Sequence, residues 1–202
     1  MTLIKLCGMM TEDDIAEANR LRPDMIGFIF VPNSRRYVPS EKAYKLRRKL
    51  DRRIKAAGVF VNEEPEKISR AVKDGIIDLI QLHGDEDDAY IRALREETDT
   101  KIIKAFRIRN GNDVMDALRS SADMILFDSG AGEGRLLDWD LLKDIDRPFI
   151  LAGGLDQENV KRAVMTLRPF GVDVSSGIET DGKKDPVKMK AFIDAVNDGD
   201  RI

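Results

Sequence analysis

The sequence predicts an α/β fold, a single-domain (β/α)8 barrel (a TIM barrel) over residues 1–202. Short apolar runs recur about every 25 residues, a longer amphipathic and charged run follows each of them, and helix-start signals place each helix after its strand. Eight such units suit a closed barrel. The alternative, an open doubly wound sheet, favours a glycine-rich turn after the first strand, where Cys7-Gly8-Met9-Met10-Thr11 has one glycine.

The predicted strands are short runs rich in β-branched and aromatic residues. In chain order they are Leu3 to Cys7, Met25 to Val31, Ile54 to Val61, Leu79 to Leu82, Lys101 to Phe106, Met124 to Asp128, Phe149 to Ala152 and Gly171 to Ser175. The glycine cluster from Gly130 to Gly134 is interpreted as a loop after a strand rather than a domain boundary, so one domain is expected.

The predicted helices are the amphipathic segments between these strands. Three of them carry start signals: Thr11 precedes an acidic first turn, Ser40 precedes Glu41, and Pro186 follows Asp185. In chain order the helices are Glu12 to Leu21, Ser40 to Leu50, Pro65 to Lys73, Asp87 to Glu97, Asn112 to Arg119, Asp138 to Ile145, Gln157 to Leu167 and Pro186 to Val196.

Composition excludes several classes of function. The 34 Lys and Arg nearly balance the 37 Asp and Glu, so no nucleic-acid-binding surface is indicated. One cysteine and one histidine cannot form a zinc cluster or an internal disulfide. No apolar stretch approaches the roughly 18 residues of a membrane span, and no signal sequence is recognisable, so we expect a cytoplasmic protein without membrane or metal partners.

Cys7 and Asp128 end the first and sixth predicted strands. In a barrel, residues at the carboxyl ends of strands share the face on which barrel enzymes bind substrate. Taken alone, Cys7 is also compatible with a buried apolar thiol and Asp128 with a turn residue before Ser129-Gly130. Together, a thiol and a carboxyl at one barrel mouth suggest an acid/base pair.

Lys5 is predicted to influence Cys7, because it lies two residues back on the same side of the strand. A free thiol is only slightly ionised at neutral pH, so a catalytic Cys7 needs a positive neighbour. A lysine inside a barrel needs an anionic partner, and Asp173 on the last strand, which closes against the first, is the candidate.

Two loops of small residues follow the seventh and eighth strands, where barrels commonly bind phosphate through backbone N–H groups. They are Gly153-Gly154, and Ser175-Ser176-Gly177. Either loop alone is compatible with a simple turn, but two in adjacent positions predict a phosphate-bearing ligand.

Three further residues fall on predicted mouth loops. Arg35 and Arg36 follow the second strand and suit a carboxylate ligand, although a solvated pair is the usual interpretation of adjacent arginines. His83 follows the fourth strand and is either a general base or a structural histidine.

Taken together, these residues resemble the phosphoribosylanthranilate isomerases, the barrel enzymes of tryptophan biosynthesis. The matching segments occur in order along nearly the whole chain: Lys5-Leu6-Cys7-Gly8, Gly27-Phe28-Ile29-Phe30, Ser34-Arg35-Arg36-Tyr37, Gly58-Val59-Phe60-Val61, Gln81-Leu82-His83-Gly84, Phe127-Asp128-Ser129, Asp138-Trp139, Ala152-Gly153-Gly154-Leu155, and Asp173-Val174-Ser175-Ser176-Gly177-Ile178-Glu179.

The resemblance implies an Amadori rearrangement of N-(5-phosphoribosyl)anthranilate, without a redox or metal cofactor. It implies Asp128 as general acid on the ribose ring oxygen and Cys7 as general base at C2′. Arg36 would bind the anthranilate carboxylate. Residues around the phosphate and sugar would be Gly153, Gly154, Asp173, Ser175, Ser176 and Gly177. The expected ligand therefore carries one phosphate and one aromatic carboxylate.

The loop after the sixth strand departs from the family pattern, with Glu133 where Ser or Thr is usual and Leu137 where Phe is usual. Two rival functions remain. The related isomerase of histidine biosynthesis would need a second phosphate cluster, which the loops after strands three and four lack. A catalytically silent phosphosugar-binding barrel would not need both Cys7 and Asp128. Either a monomer or a homodimer is compatible with the sequence.

Overall fold

Eight parallel strands form a closed barrel in the computed structural model, which describes residues 1–130, 138–143 and 145–201. Each strand pairs in parallel with the next, and β8 pairs with β1. The strands are β1 Leu3–Cys7, β2 Met25–Ile29, β3 Lys55–Phe60, β4 Leu79–Leu82, β5 Ile102–Arg107, β6 Met124–Asp128, β7 Phe149–Leu151 and β8 Gly171–Val174. The predicted fold class is confirmed.

Seven α-helices among the described residues surround the barrel. They are α1 Glu12–Leu21, α2 Ser40–Lys49, α3 Pro65–Lys73, α4 Asp88–Glu97, α5 Gly111–Arg119, α6 Val160–Leu167 and α7 Pro186–Asp200. None of the helices in this part of the chain combines the length and apolar character needed to cross a bilayer.

The helix predicted over Asp138 to Ile145 is wrong. The described residues there form one turn of 3-10 helix, Trp139–Leu142, which ends at Lys143 in extended backbone. This turn buries Leu142 and partly buries Trp139. The Arg147 guanidinium donates to the carbonyls of Leu118, Ser120 and Ala122 around the end of α5, and so holds the chain close to the barrel soon after this turn.

All three predicted helix starts are confirmed, because α1, α2 and α7 begin at Glu12, Ser40 and Pro186. Thr11 forms a capping box with Asp14, and the Asp185 carboxylate accepts hydrogen bonds from the first turn of α7. Ser40 is the first residue of α2, as predicted; Pro39 occupies the cap position, and no side chain caps this helix.

The alternation of side chains along each strand separates two apolar regions. Inside the barrel lies a small cluster that includes Ala105, Leu126 and Ile150. The larger cluster fills the layer between strands and helices, where the Phe127 and Phe149 rings lie 5.0 Å apart. Because Leu126 faces the barrel interior and Phe127 faces the helices, Asp128 faces inward at the carboxyl end of β6.

A short antiparallel hairpin that the sequence analysis did not predict follows β8. Its strands are β9 Glu179–Thr180 and β10 Lys183–Lys184. The turn residues Asp181 and Gly182 have φ values of 50° and 75°, as a two-residue type I′ turn requires. The hairpin places Glu179 and Lys184 side by side at the carboxyl end of the barrel, where their side chains form an ion pair at 2.8 Å.

Candidate active site

A cavity of about 190 Å³ opens among the carboxyl ends of the strands and brings most of the predicted site residues together. Its walls come from strands on all sides of the barrel, which is why residues far apart in sequence meet there. The predicted site residues that line it are Cys7, Arg36, His83, Asp128, Gly153, Gly154, Asp173, Ser175 and Ser176.

Cys7 is 6% exposed at the end of β1, and its thiol faces this cavity. Burial raises the pKa of the Cys7 thiol above its ordinary value, while the nearby Lys5 ammonium acts in the opposite direction. Gly27 of β2 lies opposite Cys7 in the barrel register. A Cβ atom at Gly27 would lie 2.6 Å from the sulfur, so the absence of a side chain there provides the space that the thiol occupies.

Lys5 is fully buried and pairs with Asp173, as the sequence predicts. The two residues are register partners on β1 and β8, and Lys5 Nζ donates to Asp173 Oδ2 at 2.8 Å. Burial works to lower the pKa of Lys5, but the charges of Asp173 and of Cys7 outweigh it and raise the pKa. The ammonium is therefore retained inside the barrel beside the thiol.

Asp128 lies at the opposite side of the cavity and is held at both carboxylate oxygens. Oδ1 accepts a hydrogen bond from the Gly130 backbone N–H at 2.9 Å, and Oδ2 lies 3.1 Å from His83 Nε2. His83 Nδ1 in turn lies 3.1 Å from Gln81 Nε2. With the Gln81 amide donating, the imidazole carries its proton on Nε2 and donates it to Asp128.

The two small-residue loops after β7 and β8 pack against each other and against Asp128. Gly153 and Gly154 have φ values of 83° and 69°, a backbone conformation that favours glycine. A Cβ at Gly153 would lie 2.6 Å from Asp128 Oδ1, and one at Gly177 would lie 2.0 Å from the Leu155 carbonyl oxygen. These glycines let the backbone approach a ligand closely on this side of the cavity.

Arg36 reaches the cavity but is also part of an ion cluster around Glu179. Its Nε and Nη2 atoms donate to the two Glu179 oxygens at 2.6 and 2.8 Å, and Lys184 donates to Oε1 at 2.8 Å. Burial opposes the ionisation of Glu179, but the hydrogen bonds from Arg36 and Lys184 lower its pKa to about 2. Glu179 uses two of the five guanidinium N–H groups of Arg36.

A second buried ion pair, Lys104 with Glu86, holds the neighbouring loops. Lys104 Nζ lies 3.1 Å from Glu86 Oε2 and 2.6 Å from the Gly84 carbonyl oxygen. The Glu86 carboxylate also accepts hydrogen bonds from the backbone N–H groups of Asn62 and Gly84. This network fixes the loop that carries His83 and borders a larger cavity of about 640 Å³, which shares His83 and Asp128 with the first.

Three residues of the site have no role predicted from the sequence: Glu179, Lys184 and Gln81. Glu179 lies inside a quoted motif, but its partner Arg36 is 143 residues away and its partner Lys184 lies across a turn that was not predicted. Gln81 contacts His83 only two residues away, so the motif Gln81-Leu82-His83-Gly84 itself was a usable signal for this contact. Of the predicted residues, Lys5 and Gly177 are not among those that line the cavity: Lys5 is fully buried, and Gly177 is partly exposed and follows Ser176, which does line it. Glu133 and Leu137, the departures in the loop after β6, lie outside the described residues.

No group of three or more His, Cys, Asp or Glu side chains in the described ranges is arranged to hold a metal ion. The arrangement instead offers a carboxyl and a thiol across one cavity, with a buried ammonium beside the thiol. Such a site can donate a proton at one end of a small molecule and remove one at the other.

Comparisons with known proteins agree over nearly the whole chain. The family model for N-(5'-phosphoribosyl)anthranilate isomerase matches residues 4–195. The isomerase of that name from Clostridium acetobutylicum is 43% identical over 202 residues, covering 96% of this chain and 97% of the relative.

Two solved structures match at similar levels. One is a phosphoribosyl anthranilate isomerase in complex with reduced 1-(o-carboxyphenylamino)-1-deoxyribulose 5-phosphate, with a TM-score of 0.87 and 37% identity over 98% of this chain and 99% of that one. The other contains mutually generated monomers of the dimeric enzyme from Thermotoga maritima, with a TM-score of 0.87 and 36% identity over the same shares of the two chains.

Proposed function

This chain belongs to the N-(5'-phosphoribosyl)anthranilate isomerase family of tryptophan biosynthesis, and we propose that Asp128 and Cys7 are the acid and the base of its rearrangement. The observation that carries this proposal is that both side chains line the cavity formed with the loops after β7 and β8. The substrate carries a phosphate, a ribose and an anthranilate, and the cavity offers a contact for each.

In the first step, the protonated Asp128 carboxyl gives its proton to the ribose ring oxygen. The lone pair of the anthranilate nitrogen forms the C1′=N bond as the C1′–O bond breaks, which leaves a protonated Schiff base and an open sugar. The carboxylate that remains accepts hydrogen bonds from His83 and from the Gly130 backbone. These two donors stabilise the charge that this step creates on Asp128.

In the second step, the Cys7 thiolate removes the proton from C2′. The electrons of the C–H bond form a C1′=C2′ double bond, and the nitrogen becomes a neutral amine, so the product of this step is an enolamine. Tautomerisation then moves one proton from the C2′ oxygen to C1′ and gives the ketone. The thiolate needs a nearby cation because it is buried, and Lys5 supplies that charge.

The phosphate would bind at the backbone of Gly153, Gly154, Ser176 and Gly177, where the glycines allow close approach. The anthranilate carboxylate would bind the guanidinium N–H groups of Arg36 that Glu179 does not use. In this assignment Glu179 orients Arg36, and Gly8 allows the arginine to lie across the barrel mouth, since a Cβ there would lie 2.6 Å from Arg36 Cδ.

Turnover tests this function directly. Purified protein is mixed with freshly generated phosphoribosylanthranilate, and the loss of anthranilate fluorescence is followed against the spontaneous background. We expect decay well above that background. Binding of the substrate without any enhanced decay would instead support the silent phosphosugar-binding barrel.

The assembly is proposed to be a monomer or a homodimer, the two states compatible with the sequence. The dimeric relative from Thermotoga maritima makes the second state worth testing. Sedimentation equilibrium of the full chain distinguishes them by mass.

A further inference from the structure

Gln81 is a buried polar residue in the wall of the reaction cavity, and no step of the proposed mechanism involves it. It is 1% exposed and lies in the middle of the barrel interior, with Val59 of β3 and Ile103 of β5 as its register partners. Its neighbours in register are apolar, so a polar side chain here needs partners of its own.

One half of the Gln81 amide has such a partner and the other half does not. Nε2 donates towards His83 Nδ1 at 3.1 Å, which fixes the orientation of the amide. Oε1 is buried and has no hydrogen-bond partner among the described residues. A buried acceptor without a donor destabilises a protein, so its presence in a cavity wall indicates a donor that arrives with the ligand.

A second acceptor in the same cavity supports this interpretation. Asp173 Oδ1 is also buried without a partner in the described part of the chain, while its other oxygen is held by Lys5. The two residues that carry these unpartnered acceptors thus both line one cavity of about 190 Å³. A ligand that fits both must carry several hydroxyl or amine donors, as the sugar of the proposed substrate does.

We propose that Gln81 Oε1 accepts a hydrogen bond from the C3′ hydroxyl of the sugar; this assignment rests on the proposed function. The C2′ oxygen loses its hydrogen when the ketone forms, and the ring oxygen gains one only when the ring opens. The C3′ hydroxyl is therefore the sugar donor that keeps its hydrogen from substrate to product. An acceptor fixed by His83 can hold it through every step, so Gln81 is a substrate-binding residue that also discriminates between sugars.

Binding of two ligands to two proteins tests the contact. The ligands are reduced 1-(o-carboxyphenylamino)-1-deoxyribulose 5-phosphate and its 3-deoxy counterpart, and the proteins are the wild type and Gln81→Met, with dissociation constants from titration calorimetry. We expect the wild type to bind the 3-deoxy ligand about tenfold more weakly, and Gln81→Met to bind the two ligands within about twofold. Equal discrimination by both proteins would overturn the assignment.

A matched variant separates this contact from a general loss of structure. Gln157 Oε1 is likewise buried and unpartnered among described residues but does not line the cavity, so Gln157→Met should discriminate as the wild type does. Loss of discrimination in Gln157→Met would contradict the inference.

Failure of the inference and failure of the proposed function give different results. If the wild type binds neither ligand and does not turn over phosphoribosylanthranilate, the proposed function is wrong. If it binds both ligands equally and catalyses the reaction, only the role of Gln81 is wrong.

Discussion

Gly27→Ala should disable Cys7 without touching any charged group of the site. Gly27 lies on β2 beside Cys7, and a methyl group at this position would lie 2.6 Å from the sulfur and 3.2 Å from Cys7 Cα. The second contact involves the backbone, so rotation of the thiol alone cannot relieve it. The substitution therefore moves the sulfur away from the position that the fold gives it.

The size of the effect follows from these distances. Ordinary van der Waals contacts begin at about 3.4 Å, so the sulfur must move by about 0.8 Å or more. A displacement of about 1 Å in a reacting group costs roughly 100-fold in rate. Overpacking of a close-packed interior should also destabilise the fold by about 1 to 3 kcal/mol.

The assay is kcat for phosphoribosylanthranilate, with the free energy of unfolding measured in urea. Gly58→Ala is the matched control, because a Cβ on this neighbouring strand would lie 2.8 Å from the Phe60 ring and 2.9 Å from Ile77, on the side facing the helices. We expect similar destabilisation in both variants but a large loss of kcat only in Gly27→Ala. Near-normal kcat in Gly27→Ala, or an equal loss in Gly58→Ala, would refute the role assigned to Gly27.

Three further variants probe the charges around the site. Lys5→Met should raise the pKa of Cys7, because it removes the cation that favours the thiolate. In a profile of rate against pH, the rise in activity that accompanies ionisation of Cys7 should therefore occur at higher pH. Glu179→Gln should lower the free energy of unfolding by about 1 to 2 kcal/mol at neutral pH, a value reduced for solvent screening. Lys104→Met should destabilise the fold by about 3 kcal/mol in urea, because it leaves Glu86 buried without its cation.

The pH dependence of the Glu179 effect has a definite sign. The folded pKa of about 2 lies below the ordinary value of 4.5, so the stabilisation is present above about pH 4.5 and is lost as the pH falls towards 2. The gap in unfolding free energy between wild type and Glu179→Gln should therefore narrow in acid. A gap that stays constant from neutral pH to about pH 2.5 would show that the charge of Glu179 contributes nothing.

The predictions for Lys5→Met and Lys104→Met can each be contradicted by one measurement. An unchanged pH profile in Lys5→Met would exclude an electrostatic effect on Cys7, and the double variant with Asp173→Asn controls for the carboxylate that the single change leaves unpaired. Unchanged stability in Lys104→Met would mean that the buried pair with Glu86 does not hold the loops.

Local signals in the sequence were sufficient for the barrel and for the face that carries the candidate site. The strand-end rule placed Cys7 and Asp128 correctly because the carboxyl ends of parallel strands must meet at one face. The pairing of Lys5 with Asp173 followed from the same reasoning, since a closed barrel brings β8 beside β1. These inferences needed only the order of the strands and the direction of the side chains.

Other features depend on contacts that local patterns do not encode. The Arg36–Glu179 ion pair joins residues 143 positions apart, through a hairpin whose strands are only two residues long. The Asp181-Gly182 turn was a usable signal for that hairpin. The helix predicted from Asp138 was wrong although its local pattern was suitable. The described residues form only one turn of 3-10 helix, Trp139–Leu142, before the chain returns to the barrel.

The most direct test of the central claim, that Cys7 and Asp128 act as base and acid in one cavity, is kcat for Cys7→Ala and Asp128→Asn. Each role contributes about 10²- to 10⁴-fold, so each variant should lose at least about 100-fold. Both should still bind reduced 1-(o-carboxyphenylamino)-1-deoxyribulose 5-phosphate within about tenfold of the wild type, because the phosphate loops and Arg36 are unchanged. A folded variant that binds this ligand and keeps more than about a tenth of wild-type kcat would contradict the claim.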